Sequence, residues 1–510
     1  MGAIRYRIEK GFEQFALLIY RNRIKTIILM LCATAAIVSQ IPKITIDTSM
    51  EGFLHKEDPA LLAYNSFRDQ FGRDEVVIVA LKPPKIFDST FLKTLQSLHE
   101  DLEEKVPYID DITSMINARN TRGEGDELIV EDLLENWPAT EDEMAVLKKR
   151  VLSNPVYQNL MISEDGRFTT IIIRTHSYSG MGQETDVLEG FDEDVPNKNR
   201  PPAPIQQQRI YLTDAENSEV VFAVQKVVEK YRQLDLPIWV AGSPVVTHFL
   251  KESMMADIRK FVLMATATVA IVLFIMFRRL SGVFLPLLVV FSSLLTTIGL
   301  MAIFGVPIKV PTQILPSFLL AVGVGTSVHI LAIFYHRYRR SGDKQDAIVY
   351  AMGHSGLAIV MTNVTTASGL FSFSTAELAP IADLGIFAAI GVMLAFINTI
   401  VLLPALLSLV PISHKIPKNE KTDRTVTGRF LYAVGNFSTG RPILILVIGA
   451  VAMLLSVAAI TTIRFSHHPL SWFPKDDPIR VATEKIDLEL KGTISLEVII
   501  DTGKQNGLYE

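Results

Sequence analysis

Only one cysteine, Cys32, stands among the 510 residues, and it lies in an apolar run. No disulfide framework and no thiolate cluster with metal-ligand spacing can therefore be written for this chain. A nucleophile elbow, a phosphate-cradling glycine loop and an HExxH helix are also missing, which leaves enzyme chemistry and ATP-driven transport without a motif and implies no cofactor. No basic stripe interleaved with aromatics occurs, and this argues against nucleic acid as a partner. Charge is thin, at 20% of residues, and the formal net charge of -5 conceals opposite local excesses.

What the chain has instead is apolar sequence in runs. Hydrophobic residues make up 49% and mean hydropathy is +0.30, values that suit alternating lipid-embedded and soluble parts. Seven runs reach the length of about 20 residues that spans a bilayer: 24–41, 259–277, 283–304, 314–335, 356–374, 381–409 and 443–463. The first follows a basic leader (Arg5, Arg7, Lys10, Arg21, Arg23, Lys25) and ends at Val38-Ser39-Gln40, which is no small-x-small cleavage site. It reads as a retained helix rather than a signal peptide. Lys and Arg gather on the cytoplasmic side of membrane helices. The leader, Arg278-Arg279, 337–344 and 415–441 are all basic, whereas 43–257 carries 38 acidic against 22 basic side chains. This alternation predicts a cytoplasmic N-terminus and a large outside domain.

Within that domain the hydrophobic period switches between 2 and 3.6. A β-rich run at 75–81 precedes a helix at 89–105 with Phe91, Leu95, Leu98 and Leu102 on one face, then a strand at 109–116. Thr140 and Glu143 form a capping box that opens an inserted helix. A strand at 167–176, a helix at 214–234 and a short strand at 237–241 complete a β-α-β-β-α-β order, the split βαβ pattern. The stretch 180–208, rich in acid, Pro and Gln, is expected to be a mobile loop.

An internal repeat is the strongest single feature. A basic foot, an apolar run and a polar exit lead to Phe53-Leu-His-Lys-Glu-Asp-Pro59, and the same succession leads to Phe473-Pro-Lys-Asp-Asp-Pro478. The β-rich 75–81 then reappears at 496–501. By this symmetry the chain reads as stopping early in a second copy, roughly 330 residues short of completing it, and is expected not to support transport alone.

Several motifs together resemble the resistance-nodulation-division (RND) superfamily, in its MMPL-like, sterol-sensing-domain branch. They are Gly242-Ser-Pro244, Ala321-Val-Gly-Val-Gly-Thr-Ser-Val-His329, Thr362-Asn-Val-Thr-Thr-Ala-Ser-Gly369, Leu384-Gly385 and Leu403-Pro404-Ala405-Leu406-Leu407. The resemblance implies a polytopic α-helical membrane protein of about seven spans, with an α+β ferredoxin-like periplasmic porter domain and the start of a second repeat. Its parts would be a leader and first span (1–41), the porter domain (42–257), a five-helix bundle (258–410), a cytoplasmic linker (411–441), a seventh span (442–464) and the opening of a second periplasmic domain (465–510). The implied activity is proton-coupled export of lipid-like, hydrophobic or amphipathic compounds through the bacterial inner membrane, among membrane lipids. A homo-oligomer or a periplasmic partner stays open. A non-transporting lipid sensor or scaffold is one alternative, and a protein-export auxiliary of the SecD/SecF kind is another.

Polar groups within hydrocarbon are expensive and mark function or pairing. The fourth span concentrates Gly323, Gly325, Thr326, Ser327 and His329. The resemblance implies a proton-titrating aspartate three or four residues before the histidine, and Gly325 and Thr326 occupy those places, which puts the familiar coupling route in doubt. His329 is then the remaining titratable side chain at depth, and imidazole suits proton exchange near neutral pH. Gly325, His329, Ala332 and His336 share one helical stripe; the bland reading makes His329 an interhelical hydrogen-bonding residue and His336 an interfacial anchor. In the fifth span Thr362, Thr365, Thr366 and Ser368 are expected to pack and to bond their own backbone. Asn363 differs, because a buried amide needs several partners. Gly325, Thr326, Ser327, His329 and Asn363 are the ion-coupling candidates, with no metal and no catalytic residue among them. Glu377 and Asp383, beside an outside turn, are expected to be solvated.

Overall fold

A computed structural model describes residues 2–124, 127–179, 211–233, 236–412, 426–464 and 469–492, with 498, 500 and 502. The expected loop at 180–208 and most of 496–501 lie outside the described residues. The chain begins with α1 (Gly2–Arg21) and α2 (Arg23–Val38), then α3 (Pro59–Phe71), β1 (Val76–Leu81), α4 (Ser89–Lys105) and β2 (Ile109–Thr113). A hairpin of β3 (Arg119–Glu124) and β4 (Glu127–Asp132) and the helix α5 (Glu141–Ser153) come next. They are followed by β5 (Thr169–Thr175), α6 (Asp214–Arg232) and β6 (Ile238–Ala241).

The membrane helices are α7 (Ser243–Phe277), α8 (Ser281–Ile303), α9 (Leu315–Ser341), α10 (Lys344–Phe371) and α11 (Ala379–Leu409). After them stand α12 (Val426–Gly440), α13 (Pro442–Ile460) and α14 (Pro478–Leu490). Among the described residues seven helices are long and apolar enough to cross a membrane, one for each run expected from hydropathy. The fold is thus a polytopic helical membrane protein carrying a small antiparallel sheet.

All pairs in the four-stranded sheet are antiparallel, in the order β2-β5-β1-β6. Counting only core strands, that is second, third, first, fourth, the arrangement of the split βαβ unit. Period-2 alternation in β1 gives the sheet two apolar faces. Val77, Val79 and Leu81 enter one core with Leu92, Leu95, Leu98 and Leu102 of α4 and Val220, Val224 and Val228 of α6. Ile78 and Ala80 point the other way, where Phe168, Ala241 and the α14 residues Ile486 and Leu490 meet them.

Capping fixes the helix starts. The Asp88 side chain accepts from the backbone N–H of Thr90 and Phe91, and Thr140 with Glu143 and Thr213 with Glu216 form full capping boxes. The strand expected at 109–116 stops at Thr113. There Asn117 turns the chain, its amide donating to the Ile112 carbonyl at 2.7 Å and accepting from the Ser114 N–H at 3.0 Å.

The joint between sheet and membrane depends on Gly242. Its φ is +118°, and a Cβ there would sit 2.0 Å from the Val76 carbonyl oxygen, so only glycine lets β6 turn into α7 against β1. Pro244 then opens a 35-residue helix that runs unbroken into the bundle. In the bundle α8, α9, α10 and α11 share a core that includes Val289, Leu319, Phe334, Ala351 and Leu403. The helix α1 lies along α10, with Phe12 and Glu13 against Gly356 and Gly353. By contrast α13 buries no residue.

Candidate functional site

The candidates of α9 separate onto two faces. Thr326 and Ser327 are buried, whereas Gly325, His329, Ala332 and His336 are all exposed. The buried pair belongs to a seam of hydrogen bonds across five helices. Thr326 Oγ1 donates to Asn363 Oδ1 of α10 at 3.3 Å, and Asn363 Nδ2 donates to the Ile359 carbonyl one turn back at 2.8 Å. Ser327 Oγ lies 3.0 Å from Thr399 Oγ1 of α11. The neighbouring Asn398 donates to Ser293 Oγ at 2.9 Å and to Ser292 Oγ at 3.4 Å, both on α8, and Ser292 reaches Thr34 of α2 at 3.2 Å.

Each of these groups is neutral. The seam therefore costs little to bury once its hydrogen bonds are made, and it can fix the mutual rotation of the helices. Nothing in it carries a proton that leaves at ordinary pH. The only imidazole of the motif, His329, is on the opposite, bare side of α9. A Cβ added at Gly325 would meet nothing within 4 Å, while one at Gly323 would press on Ala395 Cβ and Val290 Cγ2, each at 3.2 Å.

On α10, Thr362, Thr365 and Thr366 donate to carbonyls three or four residues earlier in their own helix, at 2.8 to 3.0 Å. Asp383 departs from the expectation of a solvated side chain. Lys309 donates to its Oδ2 at 3.2 Å, and the pair is mostly sheltered, with 12% and 22% side-chain exposure. At the other end of the bundle Arg337 grips both oxygens of Asp346, at 2.7 and 3.0 Å.

A second concentration of polar groups lies in the sheet domain. A cavity of about 180 Å³ is lined by Glu51, Arg68, Arg73, Glu75, Asp214 and Tyr211, among others. Arg68 donates to Glu51 at 3.0 Å and its guanidinium lies over the Tyr211 ring, 3.8 Å from the centroid. Arg73 bonds Glu75, Thr175 and Asn217. Burial, with Glu75 nearby, pushes the Glu51 carboxyl above its ordinary range, and burial with Asp47 nearby does the same to Asp214. Periodicity could not have found this cavity, since its residues come from five separate segments.

The MMPL family model matches residues 210–445, from the start of α6 through the bundle to α13. Over that stretch, a little under half of its length, the chain resembles the MMPL family. A protein of Methanocaldococcus jannaschii, described in its name only as a membrane protein, is 25% identical over 377 residues, 71% of this chain and 84% of that one. MmpL12 of Mycobacterium tuberculosis, named a probable transport protein, is 23% identical over 384 residues, which are 73% of this chain and 30% of its own length. The hopanoid transporter HpnN of Rhodopseudomonas palustris is 31% identical over 135 residues, 26% of this chain and 15% of its own. The MMPL-like chain thus aligns with less than a third of these two transport proteins. Within it the α9 motif and the α10 Thr-Asn motif meet at the Thr326–Asn363 hydrogen bond.

Proposed function

We propose that this MMPL-like protein works in secondary transport of lipid-like, hydrophobic or amphipathic compounds in a bacterial inner membrane, with its N-terminus in the cytoplasm. The observation that carries the reading is the division of α9, a sealed neutral seam behind it and a bare stripe with His329 in front. An exposed imidazole and glycine at bilayer depth suit a face that meets another protein surface or water, not lipid tails. The transport names of two relatives support the class, and the hopanoid substrate of one supports its lipidic character. The sheet domain would serve as the porter part on the outside, and protons would couple at the His329 face.

The test uses the complete protein in sealed vesicles under an imposed pH gradient. Glutamine keeps size and hydrogen bonding but cannot take up a proton as an imidazole does. His329→Gln is expected to abolish gradient-driven flux of a fluorescent lipid while leaving insertion intact, and Thr326→Val and Ser327→Ala are expected to reduce flux less. Persistent flux with unchanged pH dependence would move coupling away from His329. Absence of any coupled flux in the unmodified protein would favour the lipid-sensing reading, which the neutrality of the seam also supports. A reporter fused at Asp343 should be active only on the cytoplasmic side.

A further inference from the structure

The helix α1 is seated on the bundle along one side and bare along the other. A Cβ at Gly356 would lie 2.5 Å from Phe12 Cγ, and one at Gly353 would lie 2.7 Å from Glu13 Cγ, so α10 offers a seat that only glycine leaves open. Ala16 and Ile19 complete the seated side, at 0% and 3% exposure. The seat fixes the rotation of α1 about its own axis.

Two hydrogen bonds mark the end of the bundle at which this helix lies. Arg23 Nη1, at the start of α2, donates to the Ser408 carbonyl at 3.5 Å, and Lys344 Nζ, at the start of α10, donates to the Val410 carbonyl at 2.7 Å. The starts of α2 and α10 and the end of α11 therefore share one level. With 28 residues α10 is longer than a span needs, about 42 Å against a hydrocarbon core of about 30 Å. Its polar residues Lys344, Gln345, Asp346 and His354 precede the apolar run that starts at Gly356. Since α1 meets α10 at Gly353 and Gly356, it runs beside this polar surplus, at headgroup depth, instead of projecting away from the bundle.

The side of α1 turned away from the seat is basic. Arg7, Lys10, Gln14 and Arg21 recur at helical spacing, and all are exposed. Among the described residues Arg7, Lys10 and Arg21 have no hydrogen-bond or ion-pair partner. The acids of the helix lie off this stripe, with Glu9 accepting from Arg5 at 2.7 Å and Glu13 covering Gly353. Leu18 stands beside the cations at 59% exposure, and Ile24, Ile28 and Leu29 of α2 are exposed as well. Unpaired cations next to bare aliphatic side chains match a phosphate with an acyl chain beneath it. An anion in water would leave the leucine without a role.

We propose that α1 is a binding surface for anionic phospholipids, with Arg7, Lys10 and Arg21 holding the headgroup phosphates and Leu18 resting on the acyl chains. The glycine seat ties the occupied headgroups to α10, the helix that carries Asn363. The binding rests on the membrane fold and is independent of transport and of proton coupling.

The full chain, in a Cys32→Ser background, is labelled with a fluorophore at Gln14→Cys and placed in phosphatidylcholine nanodiscs. Phosphatidylglycerol or phosphatidylcholine with bromine-labelled chains is then added in steps, and quenching gives the relative association constant of each lipid at the helix. The constant for phosphatidylglycerol is expected to be at least about tenfold the other at low salt, and the ratio should fall as salt is added. Replacing Arg7, Lys10 and Arg21 together by Gln should lower the ratio at least about fivefold. Arg7→Lys with Arg21→Lys should keep it, because charge is retained. Equal quenching by the two lipids, or an unchanged ratio in the glutamine variant, overturns the proposal. Loss of the ratio in the lysine pair would mean that charge does not select the lipid, and overturns it too. Quenching by neither lipid is equally fatal, since the stripe would then face water or another protein.

Discussion

Gly323 and Gly325 are two residues apart on α9 and live in opposite surroundings. The first is wedged between Ala395 and Val290, and the second faces open space. The same division holds for the polar residues between and after them, since Thr326 and Ser327 are tied into neighbouring helices while His329 stands exposed. In a transmembrane helix, polar character alone does not separate packing from chemistry. Which face a group occupies does.

The comparison breaks most visibly through volume. Gly323→Leu should overpack the α8–α9–α11 contact and cost about 1–3 kcal/mol or more, whereas Gly325→Leu should stay within about 0.5 kcal/mol. Thermal unfolding of the two variants in detergent checks this, and equal losses would show that the bare face is covered in the folded protein. Next in size is the seam. Asn398→Leu removes donors to Ser292 and Ser293 and should cost about 0.6–1.7 kcal/mol, while His329→Leu should leave the unfolding temperature unchanged.

The cavity of the sheet domain supplies a smaller effect with a defined sign. The folded state raises the carboxyl pKa of Glu51 above the ordinary 4.5, so the folded protein holds that proton more tightly than the unfolded chain. Its contribution is fully present below the ordinary value and is lost as pH rises through the raised one. Glu51→Gln should therefore flatten the loss of stability between the ordinary and raised values, as followed by urea unfolding across mildly acid pH. A steeper pH dependence in the variant would contradict the assignment. Smallest of all should be Thr365→Val, whose hydroxyl serves only its own helix; a change above about 0.5 kcal/mol would show that it has a partner elsewhere.

Much of the fold was legible because its signals are local. Seven apolar runs, the alternation in β1 and β5, and the Thr140–Glu143 box each depend on a few adjacent residues. The hairpin β3–β4 was missed because Arg119-Asn-Thr-Arg-Gly-Glu124 is polar on both faces and has no period to read. The start of α3 was readable in Asp58-Pro59, a cap followed by a first-turn proline, and was absorbed into the repeat motif instead. For the candidate site, the sequence singles out Thr326, Ser327 and Asn363, but Asn398, Thr399, Ser292 and Ser293 are hidden inside runs that read as apolar. Spacing also places Gly325, His329 and His336 on one stripe without saying which way it turns, since that depends on where α8, α10 and α11 pack. Asp383 was read from its place beside a turn, and Lys309, 74 positions earlier, decides its surroundings.

The helix α7 joins sheet and bundle without a glycine or proline after Pro244. At 1.5 Å per residue its 35 residues make a rod of about 52 Å. Its upper end is clamped at Gly242 against the Val76 carbonyl, and its lower end packs into the bundle through Leu273 and Phe277. Such a rod acts as a lever. A tilt of about 5° at the sheet moves the far end by about 4.5 Å, close to one helical turn. Displacement of the four-stranded sheet and displacement beside α8 and α9 are therefore geared to one another, and a loosened fulcrum at Gly242 would uncouple them while leaving both ends folded.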